Sequence, residues 1–382
     1  MKRIIISGGG TGGHIYPAIT IYKEIMAILP DAEVLYVGTA AGLEATLVPK
    51  EGIAFRTIPV QGLQRQLSLK TLTTLGKTCL SLVKANAIIS DFKPDVVIGT
   101  GGYVCGPILL AAALRKVPTI IQEQNVIAGI TNKILSRFVD VVAVGYEEAK
   151  KSFGKAKRVV YTGNPVRPEV LVDTREQGRN YFNLTDTDFT VLIAGGSRGA
   201  RTINTAMIEV HKHFKNRENL KLIHVTGSGE FDTVKAALDG DFTQSNQADI
   251  AKVLGGLTYG RATMVLPYLH DMPKALAAAD LAVFRSGAIG LAELAVRGIP
   301  SVLVPYPYAA EDHQTYNARI FVQEGAAHMI VDKMLSPKDL IGEIEMFMDN
   351  PALLQQMAAG ALQLGKPKAA HDIATIALEI AK

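Results

Sequence analysis

Twice in this chain, half its length apart, an apolar strand runs into a glycine-rich loop that opens a helix. Residues 2–7 lead into Gly8-Gly9-Gly10-Thr11-Gly12-Gly13-His14, and residues 190–194 lead into Gly195-Gly196-Ser197-Arg198-Gly199-Ala200. Glycines let backbone N–H groups approach a phosphate, and the helix N-terminus behind them adds about half a positive charge. Strand, glycine loop and helix in that order begin a nucleotide-binding α/β unit, so two copies predict two such units facing each other across a cleft.

The flanking sequence keeps this rhythm. Short apolar runs at 3–7, 33–37, 55–58, 95–99, 118–121, 140–144 and 158–161 alternate with amphipathic stretches such as 15–28, 68–91 and 127–137. The second half repeats it, with strands at 190–194, 220–225, 262–266, 280–284, 300–304 and 327–330 and helices between them. Alternation of this kind gives a parallel sheet covered by helices on both faces. The fold class is therefore α/β, two Rossmann-like domains with parallel sheets. Asn164-Pro165-Val166-Arg167-Pro168 separates the patterns, because paired prolines bias the residues before them to extended backbone. The expected domains are residues 1–165 and 166–365, with a last helix at about 366–382 crossing back to the first.

At 382 residues and 48% apolar content, each half has material for its own core. Cys79 and Cys105 fit neither a disulfide framework nor a zinc spacing, which favours a reducing compartment. The N-terminus enters a strand directly, and the longest clean apolar run, residues 108–114, is far short of the ~20 residues of a membrane span, so a soluble chain is expected. The net charge of +4 hides an asymmetry. Residues 1–165 carry 19 Lys and Arg against 11 Asp and Glu, a net of +8, while residues 166–382 carry 21 against 25, a net of −4. A basic half beside an acidic one suits an anionic partner surface.

The first loop contains Gly8-x-Gly10-x-x-Gly13, a dinucleotide fingerprint, but the second strand ends Val37-Gly38-Thr39-Ala40-Ala41 without the carboxylate that takes a ribose hydroxyl. That counts against a dehydrogenase. His14 sits at the following helix N-terminus, where the dipole disfavours an imidazolium and leaves a neutral ring suited to general-base work; a capping or core histidine is the plainer alternative. The second loop also reads Gly195-x-Ser197-x-Gly199, the hydrolase elbow, with Asp271 and His313 in order behind it. Phosphate binding explains both loops and an elbow only one, so Ser197 reads as a hydroxyl donor to phosphate. Gly101-Gly102-Tyr103 and Gln122-Glu123-Gln124-Asn125 follow two further strands and are expected to line a site beyond the strand ends. Glu293, one turn into a helix, can accept paired sugar hydroxyls or serve as a plain helix N-terminal charge.

Seven motifs carry a specific resemblance: GGTGGHxxPA (9–18), GGYxxGP (101–107), EQNxxxGxxNK (123–133), GNPVR (163–167), GGSxGA (195–200), RSGA (285–288) and DHQxxNA (312–318). Together they resemble the MurG family, the bacterial N-acetylglucosamine transferases of lipid II synthesis, and the resemblance covers essentially the whole chain. It implies a GT-B fold and an inverting transferase that moves N-acetylglucosamine from UDP-N-acetylglucosamine to undecaprenyl-linked lipid I. By position, Thr11, Gly12, Gly13, Asn125, Arg167, Ser197, Leu269, Ala288, Ile289, Gly290, Glu293 and Gln314 would contact the donor, and Gly101, Gly102 and Tyr103 the acceptor diphosphate. His14 is the expected base, with Glu123 as an alternative base or as its supporting partner. No cofactor or dedicated metal site is expected, although a divalent cation could stimulate the reaction. The implied partners are UDP-N-acetylglucosamine, lipid I, an anionic membrane surface and other cell-wall synthesis proteins, with no nucleic acid. The implied place is peripheral, on the cytoplasmic face of the plasma membrane.

Three positions depart from the family pattern: Gln122 where His is usual, Arg198 for Gln, and Gly290 for Thr. The last removes a hydroxyl near the expected donor phosphates, and Arg198 offers a replacement charge. For the membrane, residues 63–89 combine Leu67, Leu69, Leu72, Leu75, Leu80, Leu82 and Val83 with Lys70, Lys77 and Lys84, spaced seven apart and so aligned on one side of a helix, near Arg65, Arg115 and Lys116; an ordinary core helix with a solvated lysine face is the alternative for these residues, and the basic first half favours membrane contact.

Overall fold

The protein is described from a computed structural model over residues 1–60, 70–196, 199–241, 250–259 and 262–381, with side chains of the helix beginning at Lys70 described from Leu80 onward. The chain forms two compact units, Met1–Arg167 with Lys366–Lys382, and Pro168–Gly365. The division falls between Arg167 and Pro168, inside the proline-bounded segment.

The first unit holds β1 (Arg3–Ser7), α1 (Gly12–Ile28), β2 (Glu33–Gly38), α2 (Glu44–Lys50), β3 (Ala54–Thr57), α3 (Lys70–Phe92), β4 (Val96–Gly99), α4 (Cys105–Leu114), β5 (Thr119–Glu123), α5 (Ile130–Leu135), β6 (Val141–Val144) and β7 (Val159–Tyr161). The second holds α6 (Pro168–Val172), α7 (Arg175–Tyr181), β8 (Phe189–Ala194), α8 (Arg201–His213), β9 (Leu220–Val225), α9 (Phe231–Asp239), α10 (Ile250–Val253), β10 (Leu257–Tyr259), β11 (Thr263–Leu266), α11 (Met272–Ala278), β12 (Leu281–Phe284), α12 (Ala288–Arg297), β13 (Ser301–Leu303), α13 (His313–Gln323), β14 (Ala327–Met329), α14 (Pro337–Asp349) and α15 (Pro351–Leu364). The last helix, α16 (Ala369–Ile380), belongs to the first unit.

The first sheet runs β3-β2-β1-β4-β5-β6-β7, parallel throughout. Helices cover both faces, so the central strands are apolar on both sides. Ile5 and Val97 pack into a core with α3, α4 and α5, while Ile4, Ile6 and Val96 pack into another with α1 and α16. Ile373, Ala374 and Ala377 are fully buried against α1, and His371 reaches Glu24 at 2.9 Å, which ties the chain's end to its beginning.

The second sheet runs β10-β11-β9-β8-β12-β13-β14. It departs from the expected all-parallel sheet at one edge, where β10 pairs antiparallel with β11. An edge strand of three residues has too little apolar alternation to be read from sequence. α4 was visible only as an apolar run. Its residues are buried nearly all round, so the helix carries no polar face and no amphipathic period.

In both sheets the chain leaves the middle in opposite directions, between β1 and β4 and between β8 and β12. Ligands of open α/β sheets bind beyond the carboxyl ends of the strands at such a switch point. The glycine loops follow β1 and β8.

Candidate active site

In the first unit the loop after β1 has its backbone groups taken up one by one. Tyr36 Oη donates to the Gly8 carbonyl at 2.7 Å, Gly9 N–H donates to the Gly101 carbonyl at 3.3 Å, and Gly10 N–H donates to the buried Glu44 carboxylate at 3.2 Å. The Gly9 carbonyl takes a bond from His14 Nδ1 at 3.0 Å. A carbonyl only accepts, so Nδ1 carries the proton and Nε2 is the basic nitrogen of the neutral ring. That face of the ring covers Gly101: a Cβ there would lie 3.0 Å from Nε2 and 2.8 Å from Cδ2. Gly101 and Gly102 have φ of +107° and +82°, and a Cβ on Gly102 would enter the Gly9 backbone, with the carbonyl carbon at 3.1 Å. Both conformations and both close approaches require glycine.

The two loops after β1 and β4 therefore interlock around His14. Cys105 supports them from below, its thiol donating to the Gly101 carbonyl at 2.9 Å; burial pushes that thiol up to about 11, so it stays a donor. Tyr103 is exposed, with its ring edge 3.4 Å from where a Gly10 Cβ would be. The Thr11 side chain does not cap α1, so the Gly12 and Gly13 amides are the donors at the helix mouth. The Arg167 guanidinium lies 5.9 Å from the Tyr16 ring centre, one helical turn from these amides. His14, Thr11, Gly12, Gly13, Gly101, Gly102, Tyr103 and Arg167 are thus brought to one end of one sheet.

Glu123 is placed differently from the expectation of a base or a partner to His14. Gln122 and Glu123 are the last residues of β5 rather than a loop beyond it. Glu123 is 2% exposed; one oxygen accepts from Asn125 N–H at 3.0 Å, and the other accepts from Gly129 N–H at 3.0 Å and Asn132 Nδ2 at 2.9 Å. A carboxylate so engaged holds residues 125–132 in place and has no open face for a substrate hydroxyl. Gln122 and Gln124 likewise belong to a buried amide network: Gln122 Nε2 donates to Asn164 Oδ1 at 2.9 Å, Asn164 Nδ2 to the Gln124 carbonyl at 2.9 Å, and Gln124 Nε2 to the Thr100 carbonyl at 2.5 Å. The dense polar run joins strand ends, and of its members Asn125 alone is part-exposed.

In the second unit the expected donor residues sit beyond the ends of β8, β11, β12 and β13. Ser197 and Arg198 lie outside the described residues, but the glycines beside them show why the loop is made as it is. Gly196 and Gly199 have φ of +90° and +77°, and Gly199 N–H donates to the Gly196 carbonyl at 2.9 Å. Ala288, Ile289 and Gly290 form the first turn of α12, and Gly290 is open: a Cβ there would be 3.7 Å from Phe284, ordinary contact. Glu293 is buried one turn further on, and Leu269 is buried after β11. Gln314, at the start of α13, accepts from Tyr306 N–H at 2.9 Å, and Asn317 on the same helix donates to the Ser286 carbonyl at 3.2 Å. Before α13, Glu311 and Asp312 both hold left-handed backbone, φ +54° and +52°.

Asp271 and His313, the further members of the hydrolase alternative, are bonded elsewhere. Asp271 accepts from Tyr181 at 2.8 Å, and His313 Nδ1 donates to the Ala310 carbonyl at 2.7 Å. Two Asp-x-Asp spacings occur, Asp186-Thr187-Asp188 and Asp239-Gly240-Asp241. The first lies in the turn entering β8, where Asp188 accepts from Thr185 N–H at 2.7 Å; in the second, Asp239 meets Lys235 and Tyr259, and Asp241 meets Lys212. Neither lies at the glycine-loop end, and no group of three or more His, Cys, Asp or Glu among the described residues could hold a metal ion.

Residues 4–144 match the glycosyltransferase family 28 N-terminal domain, and residues 190–373 match its C-terminal domain. The chain belongs to glycosyltransferase family 28. Among curated relatives, it is 46% identical over 380 residues to a Desulfitobacterium hafniense protein named UDP-N-acetylglucosamine–N-acetylmuramyl-(pentapeptide) pyrophosphoryl-undecaprenol N-acetylglucosamine transferase, covering 99% of both chains. A protein of the same name from Thermoanaerobacter sp. is 44% identical over 371 residues, 97% of this chain and 98% of that one. Among solved structures, Acinetobacter baumannii MurG superposes with a TM-score of 0.75 at 28% identity, covering 99% of this chain and 100% of that one. The fold is accordingly the GT-B class expected from the motifs, and the chain is a glycosyltransferase.

Proposed function

We propose that this enzyme transfers N-acetylglucosamine from UDP-N-acetylglucosamine to the muramyl sugar of undecaprenyl-linked lipid I, with inversion. The family, the names of the near-full-length relatives and the interlocked loops around His14 support the reading; the seating of His14 is the observation that carries its mechanism. With Nδ1 held by the Gly9 carbonyl, Nε2 takes the proton of the acceptor hydroxyl as that oxygen bonds to C1 of the sugar. The C1–O bond to the diphosphate breaks, and UDP leaves with the growing negative charge. The helix-mouth amides at the second glycine loop, with Arg167, would offset that charge without a dedicated metal ion, so excess chelator is expected to remove at most a stimulation and not the transfer itself. Glu293 would hold sugar hydroxyls, Ser197 the diphosphate, and Gly101–Tyr103 the lipid diphosphate. The test is a single incubation of UDP-N-acetylglucosamine with a lipid I analogue, followed by the mass of the lipid product. His14→Ala should lower kcat by about 100-fold or more; a loss of only a few-fold would remove it as the base.

The same unit carries the surface proposed to meet an anionic membrane. No helix among the described residues is long and apolar enough to cross one. Of the expected stretch 63–89, residues 63–69 and the side chains of Lys70 and Lys77 lie outside the described residues, while Leu80, Val83 and Lys84 are exposed on α3. α4 packs against both α3 and α5, and the set continues onto both, with Leu114 exposed beside Arg115 and Lys116, and Ile130, Ile134 and Phe138 exposed beside Arg137. Sequence reading missed Ile130 and Ile134 on α5 and Phe138 just after it; their spacing of four was the available signal. Apolar side chains among basic ones suit a peripheral enzyme whose acceptor is a lipid.

A further inference from the structure

We infer that Glu44 is a positioning residue for the transfer, holding the first glycine loop so that His14 presents Nε2 to the acceptor; the inference rests on His14 being the base. Glu44 opens α2 and is fully buried. Its Oε1 accepts from Thr39 N–H at 3.1 Å and Thr39 Oγ1 at 2.6 Å, and its Oε2 accepts from Gly10 N–H at 3.2 Å. Gly9 and Gly38 make room for it: a Cβ on Gly9 would lie 2.7 Å from Oε1, and one on Gly38 2.7 Å from Cγ. A third glycine, Gly42, is packed onto the same carboxylate.

The carboxylate and the imidazole are therefore attached to adjacent loop residues, Glu44 to the amide of Gly10 and His14 to the carbonyl of Gly9. All three donors to Glu44 are neutral, and among the described residues no cation pairs with it. Burying a carboxylate on neutral donors alone costs more than burying an amide in its place. What the carboxylate does that a glutamine cannot is accept on both oxygens at once, from the end of β2 on one side and the glycine loop on the other. It fixes Gly10 at φ +85° and with it the Gly9 carbonyl that orients the ring.

The test compares Glu44→Gln, His14→Ala and the double variant of the full chain with UDP-N-acetylglucosamine and a lipid I analogue. Glu44→Gln is expected to lower kcat about tenfold, with the donor KM within about twofold, as loss of a supporting partner does. In the His14→Ala background the same change should cost less than about twofold, because there is no ring left to position. An unchanged kcat for Glu44→Gln overturns the proposal. So does a tenfold loss that persists beside His14→Ala; if His14→Ala alone then costs its hundredfold, the base reading survives and only the positioning role falls. If His14→Ala is itself near wild type, the base reading fails and takes this inference with it. Should calorimetry show that Glu44→Gln does not fold, Thr39→Val loosens the carboxylate in place: a several-fold drop in kcat at constant KM, absent beside His14→Ala, supports the role, and an unchanged kcat refutes it.

Discussion

Single residues at the candidate site divide into those that chemistry selects and those that space selects. His14 is of the first kind, Gly102 of the second. Its φ of +82° and the Gly9 backbone beside it leave no room for a methyl group, and backbone cannot swing aside as a side chain can. Gly102→Ala is therefore expected to destabilise the first unit by about 2–3 kcal/mol and to lower kcat by displacing the loop under His14, read by denaturant unfolding and initial rates. Gly290 is the opposite case. It stands where the family pattern has Thr, nothing crowds it, and α12 would gain from losing a glycine in its first turn. Gly290→Thr is expected to lower the donor KM by about three- to tenfold, the worth of one added hydrogen bond, at unchanged kcat. A KM that does not move would show that the hydroxyl is not needed here. The motif letters made both positions visible in the sequence, yet only the space around each in the folded chain says which one tolerates a change.

Between elements, the second unit is joined by a buried relay that no motif announced. Asn204 on α8 donates through Nδ2 to the Thr226 carbonyl at 2.9 Å, so its Oδ1 must accept, and His224 Nε2 is the donor to it at 3.0 Å. His224 Nδ1 then accepts from His211 Nε2 at 3.1 Å, and His211 Nδ1 accepts from Thr263 Oγ1 at 3.0 Å. Each ring must be neutral for the order to hold. Burial lowers both histidines, His224 to about 3 and His211 well below its usual value, with the neighbouring ring adding to the fall at His211. Unfolded chains bind these protons below about pH 6.5 and the folded unit does not, so the two histidines leave stability unchanged above that pH and lower it beneath. The expected slope is about 1.4 kcal/mol per pH unit for each histidine, followed by denaturant unfolding from pH 7 to 5. His224→Gln, which keeps an amide in the relay, should flatten the slope; an equally steep decline would place its origin elsewhere. The relay ends under the second glycine loop, where Gly199 packs on the Thr226 carbonyl, so the elements that hold that loop depend on two uncharged imidazoles.

Across the whole molecule, charge follows the fold more sharply than it follows the midpoint of the chain. Residues 1–167 with 366–382 carry 23 Lys and Arg against 13 Asp and Glu, a net of +10, while residues 168–365 carry 17 against 23, a net of −6. A basic unit bearing the exposed apolar set on α3, α4 and α5 is expected to bind anionic vesicles, and Ile134→Asp with Phe138→Asp to reduce co-sedimentation at least tenfold while sparing transfer to a soluble lipid I analogue. Binding indifferent to anionic lipid would refute that surface. Much of this molecule was legible beforehand. Strand–helix alternation, the paired glycine loops and seven spaced motifs determined the α/β class, the two units and the family, because period and loop chemistry are local properties of neighbouring residues. The rest depended on contacts between residues far apart in the chain. Glu123 and Glu44 are both carboxylates near strand ends, and nothing adjacent to either says that one clasps its own loop while the other braces the loop beneath His14. α16 is an ordinary helix by its pattern, and packing against α1 is what makes it part of the first unit. Local periodicity sets which elements form; which polar groups find each other once those elements pack decides the site, since a buried carboxylate or imidazole takes its role from the partners that satisfy it.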